Sequence, residues 1–143
     1  MLSLLVATAV AVLPSGKHFP CTPTHVWDGD GPIWCVEGPR VRLAGIAARE
    51  MDETCKSGHP CPKTSGRRAR DRLVEYLGGS RGRTSTGHIL VSAPTMQCVS
   101  NGSARGDRTG AWCSLPGVGD LSCAMITSRT VLRWDRYARG HCR

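Results

Sequence analysis

The 143-residue sequence predicts an α+β fold, mainly β: one small closed barrel of five strands with two to three helices. Three observations predict it. Short strands separated by glycine turns fill the first third of the chain, a strongly amphipathic helix follows the third strand, and the length suits one core rather than two ordinary domains.

Met1 to Leu13 is apolar apart from Ser3 and Thr8, too short to span a bilayer and about right for a signal-peptide core, although no Lys or Arg precedes Lys17. Residues 1–20 are read as an export signal followed by a linker from Pro14 to Pro20, and residues 21–143 as the folded domain. Thr22 to Trp27 forms a strand entering the turn Asp28-Gly29-Asp30-Gly31, with Ile33 to Val36 as the return strand. In Arg40 to Ile46, Val41, Leu43 and Gly45 alternate with Arg40, Arg42 and Ala44, as one buried face requires. Ala48 to Lys63 has no periodicity and is a loop. From Ser65 to Leu77 the residues Ala69, Leu73, Tyr76 and Leu77 share a helical face, Arg67 stands one turn from Asp71, and Gly78-Gly79 ends the helix. Strands follow at His88 to Ser92, Met96 to Val99 and Gly110 to Ser114, with Asn101 to Gly110 as a turn region. Asp120 then caps a short helix, before Val131 to Trp134 and a basic tail. A helix inserted after three strands is the order of an OB-fold, a common oligonucleotide-binding barrel.

Nineteen Lys and Arg against eleven Asp and Glu give a net charge of +8, and all basic residues but Lys17 lie at or after Arg40. That field suits polyanionic partners, nucleic acid or an anionic surface, and equally suits plain solubility. With one Phe and two Tyr, base stacking has few candidates beyond the four Trp. Eight cysteines imply disulfides and an oxidising compartment. Cys55 and Cys61 suggest a small disulfide loop rather than a zinc site, Cys98 and Cys113 flank a turn, and Cys21 and Cys35 flank the first one. Spacing alone leaves 105 pairings open.

Asp28-Gly29-Asp30, then Arg42-Leu43, then Glu50 eight residues past Arg42, and later Asp107-Arg108-Thr109-Gly110, resemble the motifs of the thermonuclease (staphylococcal-nuclease-like) family. The resemblance covers about Thr22 to Trp134 and implies a five-stranded OB-fold barrel that hydrolyses DNA or RNA with Ca²⁺. It implies Asp30 as a direct metal ligand with Asp28 supporting it, Arg42 on the phosphate, and Glu50 as the group that orients or deprotonates water. Hard cation, base and positive donors are what phosphodiester hydrolysis needs.

The active site is atypical in two positions. Ala47 stands where the family has a second carboxylate ligand, and Ala111 where it has a second phosphate-binding arginine. Each such loss costs roughly 2.7 to 4 kcal/mol in the transition state, so the expected nuclease is slowed by about 10⁴- to 10⁶-fold if the two add. Asp52 or Glu53 are candidate replacements at the metal, and Arg49, Arg105 or Arg108 at the phosphate. The tail from Arg133 to Arg139 interleaves arginines with Trp134 and Tyr137, a pattern suited to bases and backbone and also to closure of a core. The run Arg67 to Arg72 reads as a solvated helix face or a phosphate track. The sequence thus predicts an exported monomer, a weak thermonuclease-type enzyme, with a catalytically degenerate nucleic-acid-binding module as the alternative. A disulfide-stapled interaction domain is the third reading.

Overall fold

The computed structural model describes residues 10–143. The apolar stretch of the predicted export signal falls largely on residues 1–9, outside the described residues. Among the latter are ten strands: β1 (His18–Cys21), β2 (Pro23–Asp28), β3 (Gly31–Cys35), β4 (Arg40–Leu43), β5 (Ile46–Ala47), β6 (Ile89–Leu90), β7 (Met96–Ser103), β8 (Arg108–Leu115), β9 (Gly119–Asp120) and β10 (Leu132–Arg133). Three helices accompany them: α1 (Gly66–Tyr76), α2 (Leu121–Thr127) and α3 (Asp135–Ala138). The fold is α+β and mainly β, as the sequence predicts.

Eight strands form one mixed sheet in the order β1-β7-β8-β4-β3-β2-β6, with β9 on β8. β4 and β8 run parallel and the other pairs antiparallel. The hydrogen-bonded order is an open path with β1 and β6 at its ends, not the predicted ring of five strands. Yet β1 and β2 are separated only by Thr22, so one length of chain pairs first with β7 and then with β3. A separate two-stranded sheet joins β5 to β10.

β1 lies in the stretch read as a linker. His18, Phe19, Pro20 and Cys21 alternate exposed and buried, a two-residue period that Pro20 disguised. The predicted third strand stops at Leu43, because Gly45 turns the chain with φ +73° before β5 begins. The predicted turn from Asn101 to Gly110 shrinks to 104–107, since β7 and β8 continue into it. In the basic tail, residues 135–138 form α3.

The core is the apolar face of this sheet closed by α1 and α2. Val26, Ile33, Val41, Leu43, Leu73, Leu77, Met96, Leu121 and Met125 are fully buried in it. Ser65 caps α1 by accepting from Arg68 N at 3.1 Å, and Gly79 N donates back to Val74 O at 2.9 Å beyond its end. Asp71 pairs with Arg70 rather than Arg67, and Arg70 is buried, so the arginine run is not a uniformly solvated face.

All eight cysteines are bonded: Cys21–Cys35, Cys55–Cys61, Cys98–Cys113 and Cys123–Cys142. The three pairs weighed from spacing are present, and the fourth ties α2 to the chain end. Among the described residues no helix is long and apolar enough to cross a membrane.

Candidate functional site

The Asp-Gly-Asp-Gly turn closes the β2–β3 hairpin, with Asp28 Oδ1 accepting from Asp30 N at 3.2 Å. That bond is ordinary turn chemistry. The packing behind it is not ordinary: a Cβ on Gly29 would lie 2.6 Å from the Ala69 Cβ of α1 and 3.0 Å from the Ala48 Cβ. Only glycine lets α1 and the segment after β5 press so closely on the turn. Both carboxylates are thereby held where water is scarce.

Arg42 leaves β4 beside them. Its Nη2 donates to Asp30 Oδ2 at 3.2 Å and to Ile46 O at 3.0 Å, while Nη1 donates to Leu43 O at 2.9 Å. Ala48 N also donates to Asp30 Oδ2, at 3.3 Å. Three of the five guanidinium N–H groups are therefore used in holding the floor of the site, and two remain. Asp28 is 5 % exposed. Burial pushes its carboxyl up to about 10, and the charges of Asp30 and Glu50 push the same way.

Glu50 sits where α1 begins. Its backbone N donates to Thr54 O at 2.9 Å, and a Cβ on Gly66 would lie 2.2 Å from the Glu50 carbonyl oxygen. Glycine at the start of α1 is what lets the helix seat against this residue.

Asp28, Asp30, Arg42 and Glu50 line one cleft of about 230 Å³, together with Arg105, Arg108 and Tyr137. These seven residues, all singled out from the sequence, thus meet, drawn from four separate stretches of chain. Arg105 and Arg108 come from the hairpin between β7 and β8, whose turn is closed by Ala104 N donating to Arg108 O at 2.9 Å. Tyr137 comes from α3.

Arg49 points elsewhere: its Nε donates to Pro62 O at 2.8 Å and its Nη1 to Glu53 O at 2.6 Å. It is a brace for the disulfide loop. The candidate replacement carboxylates are also engaged outside the cleft, Asp52 with Thr54 and Glu53 with Gly66 N. Ala47 is buried in β5 and does not line the cleft. Ala111 belongs to the apolar core, fully buried.

Several lining residues escaped the sequence reading. Lys56 and His59 are carried to the rim by the Cys55–Cys61 loop, and the His59 ring packs on Trp134 with centroids 4.5 Å apart. Burial holds the His59 imidazole below its ordinary range, helped by the positive charges of Arg42 and Lys56. Asn101 lies against Gly110, where a Cβ would stand 2.2 Å from Asn101 Oδ1. The only advance signal for Lys56 and His59 was the cysteine pair that brackets them.

Three carboxylates line the cleft, Asp28, Asp30 and Glu50, but their oxygens do not all gather within 4.8 Å of one another, so they do not form a ready-made cation site. Their oxygen donors are of the type that suits a hard ion such as Ca²⁺. The set falls short of the six to eight oxygens typical of Ca²⁺, so water or substrate oxygens would complete it. Among the described residues, the ligand-type atoms that do gather are those of Asp120, Cys123 and Cys142, but both sulfurs are in a disulfide and Asp120 Oδ1 caps α2 through Cys123 N. Neither sulfur is a thiolate ligand.

Comparison with protein-family models, curated proteins and solved structures finds no match to the chain.

Proposed function

We propose that the protein is a thermonuclease-like phosphodiesterase of reduced efficiency, acting on nucleic acid at the cleft between the Asp28–Gly31 turn and the β7–β8 hairpin. One observation carries the reading: three carboxylates and three arginines from distant parts of the chain converge on one cleft. The OB-fold reading draws support from the strand bent at Thr22, which pairs with β7 and β3 in turn, and from the parallel β4–β8 pair. Four disulfides favour an oxidising compartment and hence export.

In this mechanism Asp28 and Asp30 would hold a Ca²⁺ ion, with Glu50 nearby. Such an ion would supply Lewis acidity toward a phosphoryl oxygen. Glu50 takes a proton from water as the water oxygen bonds to phosphorus. The ester P–O bond breaks, and the leaving oxygen takes its proton from solvent. Arg42 offers its two unused N–H groups to the phosphoryl oxygens, and Arg105 and Arg108 add positive charge from the opposite rim. The water-poor floor strengthens each of these interactions.

The binding-module alternative is favoured by a specific observation as well: Arg42 is largely committed to holding Asp30 and two backbone carbonyls. The test is incubation of single-stranded DNA and RNA with the purified protein in Ca²⁺ or chelator, beside Glu50→Gln. Cleavage that needs both Ca²⁺ and Glu50 supports the enzyme. Cleavage indifferent to both sinks it, and salt-sensitive binding without cleavage supports the module.

A further inference from the structure

The strand registers align a row of side chains across the sheet. Arg108 of β8 partners Arg40 of β4, Arg40 partners Trp34 of β3, and Trp34 partners His25 of β2. Their chain neighbours Thr109, Val41, Ile33 and Val26 are buried on the core side, so this row stands on the opposite, outer face. From Arg40 to His25 the side chains touch. The Arg40 guanidinium lies over the Trp34 ring 5.2 Å from its centroid, and His25 stacks on Trp34 at 4.5 Å with planes 19° apart. His88 meets Trp34 edge-on at 4.7 Å and reaches Trp27 at 5.0 Å. Trp27, two residues beyond His25 on β2, is 37 % exposed.

One end of this row is already in the cleft, because Arg108 lines it. Three strand intervals of about 4.8 Å separate Arg108 from His25, about 14 Å in all, room for about four stacked nucleotides at about 3.4 Å each. We propose that this outer face is a second binding track, taking the phosphates and unpaired bases of a single-stranded nucleic acid as it leaves the cleft, with Arg108 and Arg40 on the backbone and Trp27 as the base platform. The proposal rests on the nucleic-acid reading of the cleft but not on cleavage there.

Charge and chemistry agree with that occupant. The exposed Arg81 and Arg83 border the far end, Arg83 bridging Ile89 and Arg81 N bonded to Leu90 O at 2.7 Å. Asp107, a carboxylate beside the row, is paired with Arg40, so a strand phosphate at Arg40 would exchange for that ion pair, while Arg108 has no carboxylate partner among the described residues. Burial holds the His25 and His88 imidazoles below their ordinary range, with His88 and Arg40 adding to the effect at His25. Their rings pack on Trp34 and Trp27 and extend the aromatic surface. Stacking accepts any base, and arginine reads only phosphate, so the track has little sequence preference.

The test is fluorescence anisotropy in chelator with a labelled 12-nucleotide single strand and with an abasic strand of equal length and charge. Wild-type protein is expected to bind the base-bearing strand at least about fivefold more tightly. Trp27→Ala should weaken that strand by about 5- to 150-fold and leave the abasic strand unchanged, with Trp27→Phe retaining most of the affinity. Equal wild-type affinity for the two strands would overturn the track, as would a Trp27→Ala loss shared equally by both. Thermal melting of each variant separates unfolding from lost contact, because Trp27 is a surface residue. Selective loss on Trp27→Ala without any cleavage by wild type would leave the track standing and remove the enzyme reading.

Discussion

Arg42 and Asp30 lock two turns together: the guanidinium reaches the carboxylate at 3.2 Å while also holding the Ile46 carbonyl at 3.0 Å. Both side chains are about one-seventh exposed, at 15 % and 13 %. A residue expected to bind phosphate is therefore also a structural clamp. Arg42→Lys keeps the charge but loses the planar fork. It should lower stability by about 1 to 3 kcal/mol, through carbonyls left without donors, and cleavage by about 10²-fold or more. Denaturant unfolding and single-turnover cleavage check the two effects. Unchanged stability would mean that the clamp is idle.

The Asp28 carboxyl gives the apo protein a pH signature. Its folded value, about 10, lies far above the ordinary carboxylate value. The folded state thus holds a proton that the unfolded state has released, so this group's contribution is fully present below about pH 4 and is lost as pH rises toward 10. Thermal midpoints measured in chelator should fall across that window. Asp28→Asn, which cannot ionise, should flatten the fall and raise stability at neutral pH. An identical pH profile in the variant would show that Asp28 does not titrate in this way.

Gly66 carries a third expectation. Alanine normally stabilises a helix relative to glycine by about 1 kcal/mol, yet here its Cβ would meet Glu50 O at 2.2 Å and Arg49 O at 2.8 Å. Both obstacles are backbone, so the clash must displace either α1 or the segment carrying Glu50. Gly66→Ala should cost about 1 to 3 kcal/mol overall and, under the proposed nuclease reading, slow cleavage by on the order of 10²-fold, the effect of moving the proposed base Glu50 by about 1 Å. A more stable and fully active variant would contradict this packing.

The parts of the site that could be read in advance are those set by short stretches of chain. Asp28 and Asp30 share one turn, and Arg42 and Glu50 flank one strand end, so local pattern sufficed to group them. The rim was harder to read. Lys56 and His59 reach the cleft only because Cys55 bonds Cys61 and the loop folds over Trp134, contacts that no periodicity encodes. Arg49 misled for the opposite reason: its charge suited phosphate, but the nearby Pro62 and Glu53 carbonyls claim its donors. The outer row from Arg108 to His25 depends on the register of four strands, two of them nearly seventy residues apart in the chain. Composition hinted at it only through the four tryptophans.

Ala111 shows how a one-residue offset in a strand reverses a functional expectation. Matching motifs makes it a lost phosphate-binding arginine. In β8, however, Ala111 is fully buried in the core, with Leu43 of β4 and Ser100 of β7 as its register partners. Arg108 and Gly110, one face over, are the β8 residues that line the cleft. A guanidinium at 111 would enter an apolar core without a counter-charge, a change that costs about 3 kcal/mol or more. Ala111→Arg should therefore unfold or precipitate and gain no cleavage. Arg108→Ala should fold normally, bind single strands more weakly, and lower the slope of log affinity against log salt by about 0.7. A folded Ala111→Arg protein with raised cleavage would mean that β8 is registered one residue away from where it lies here.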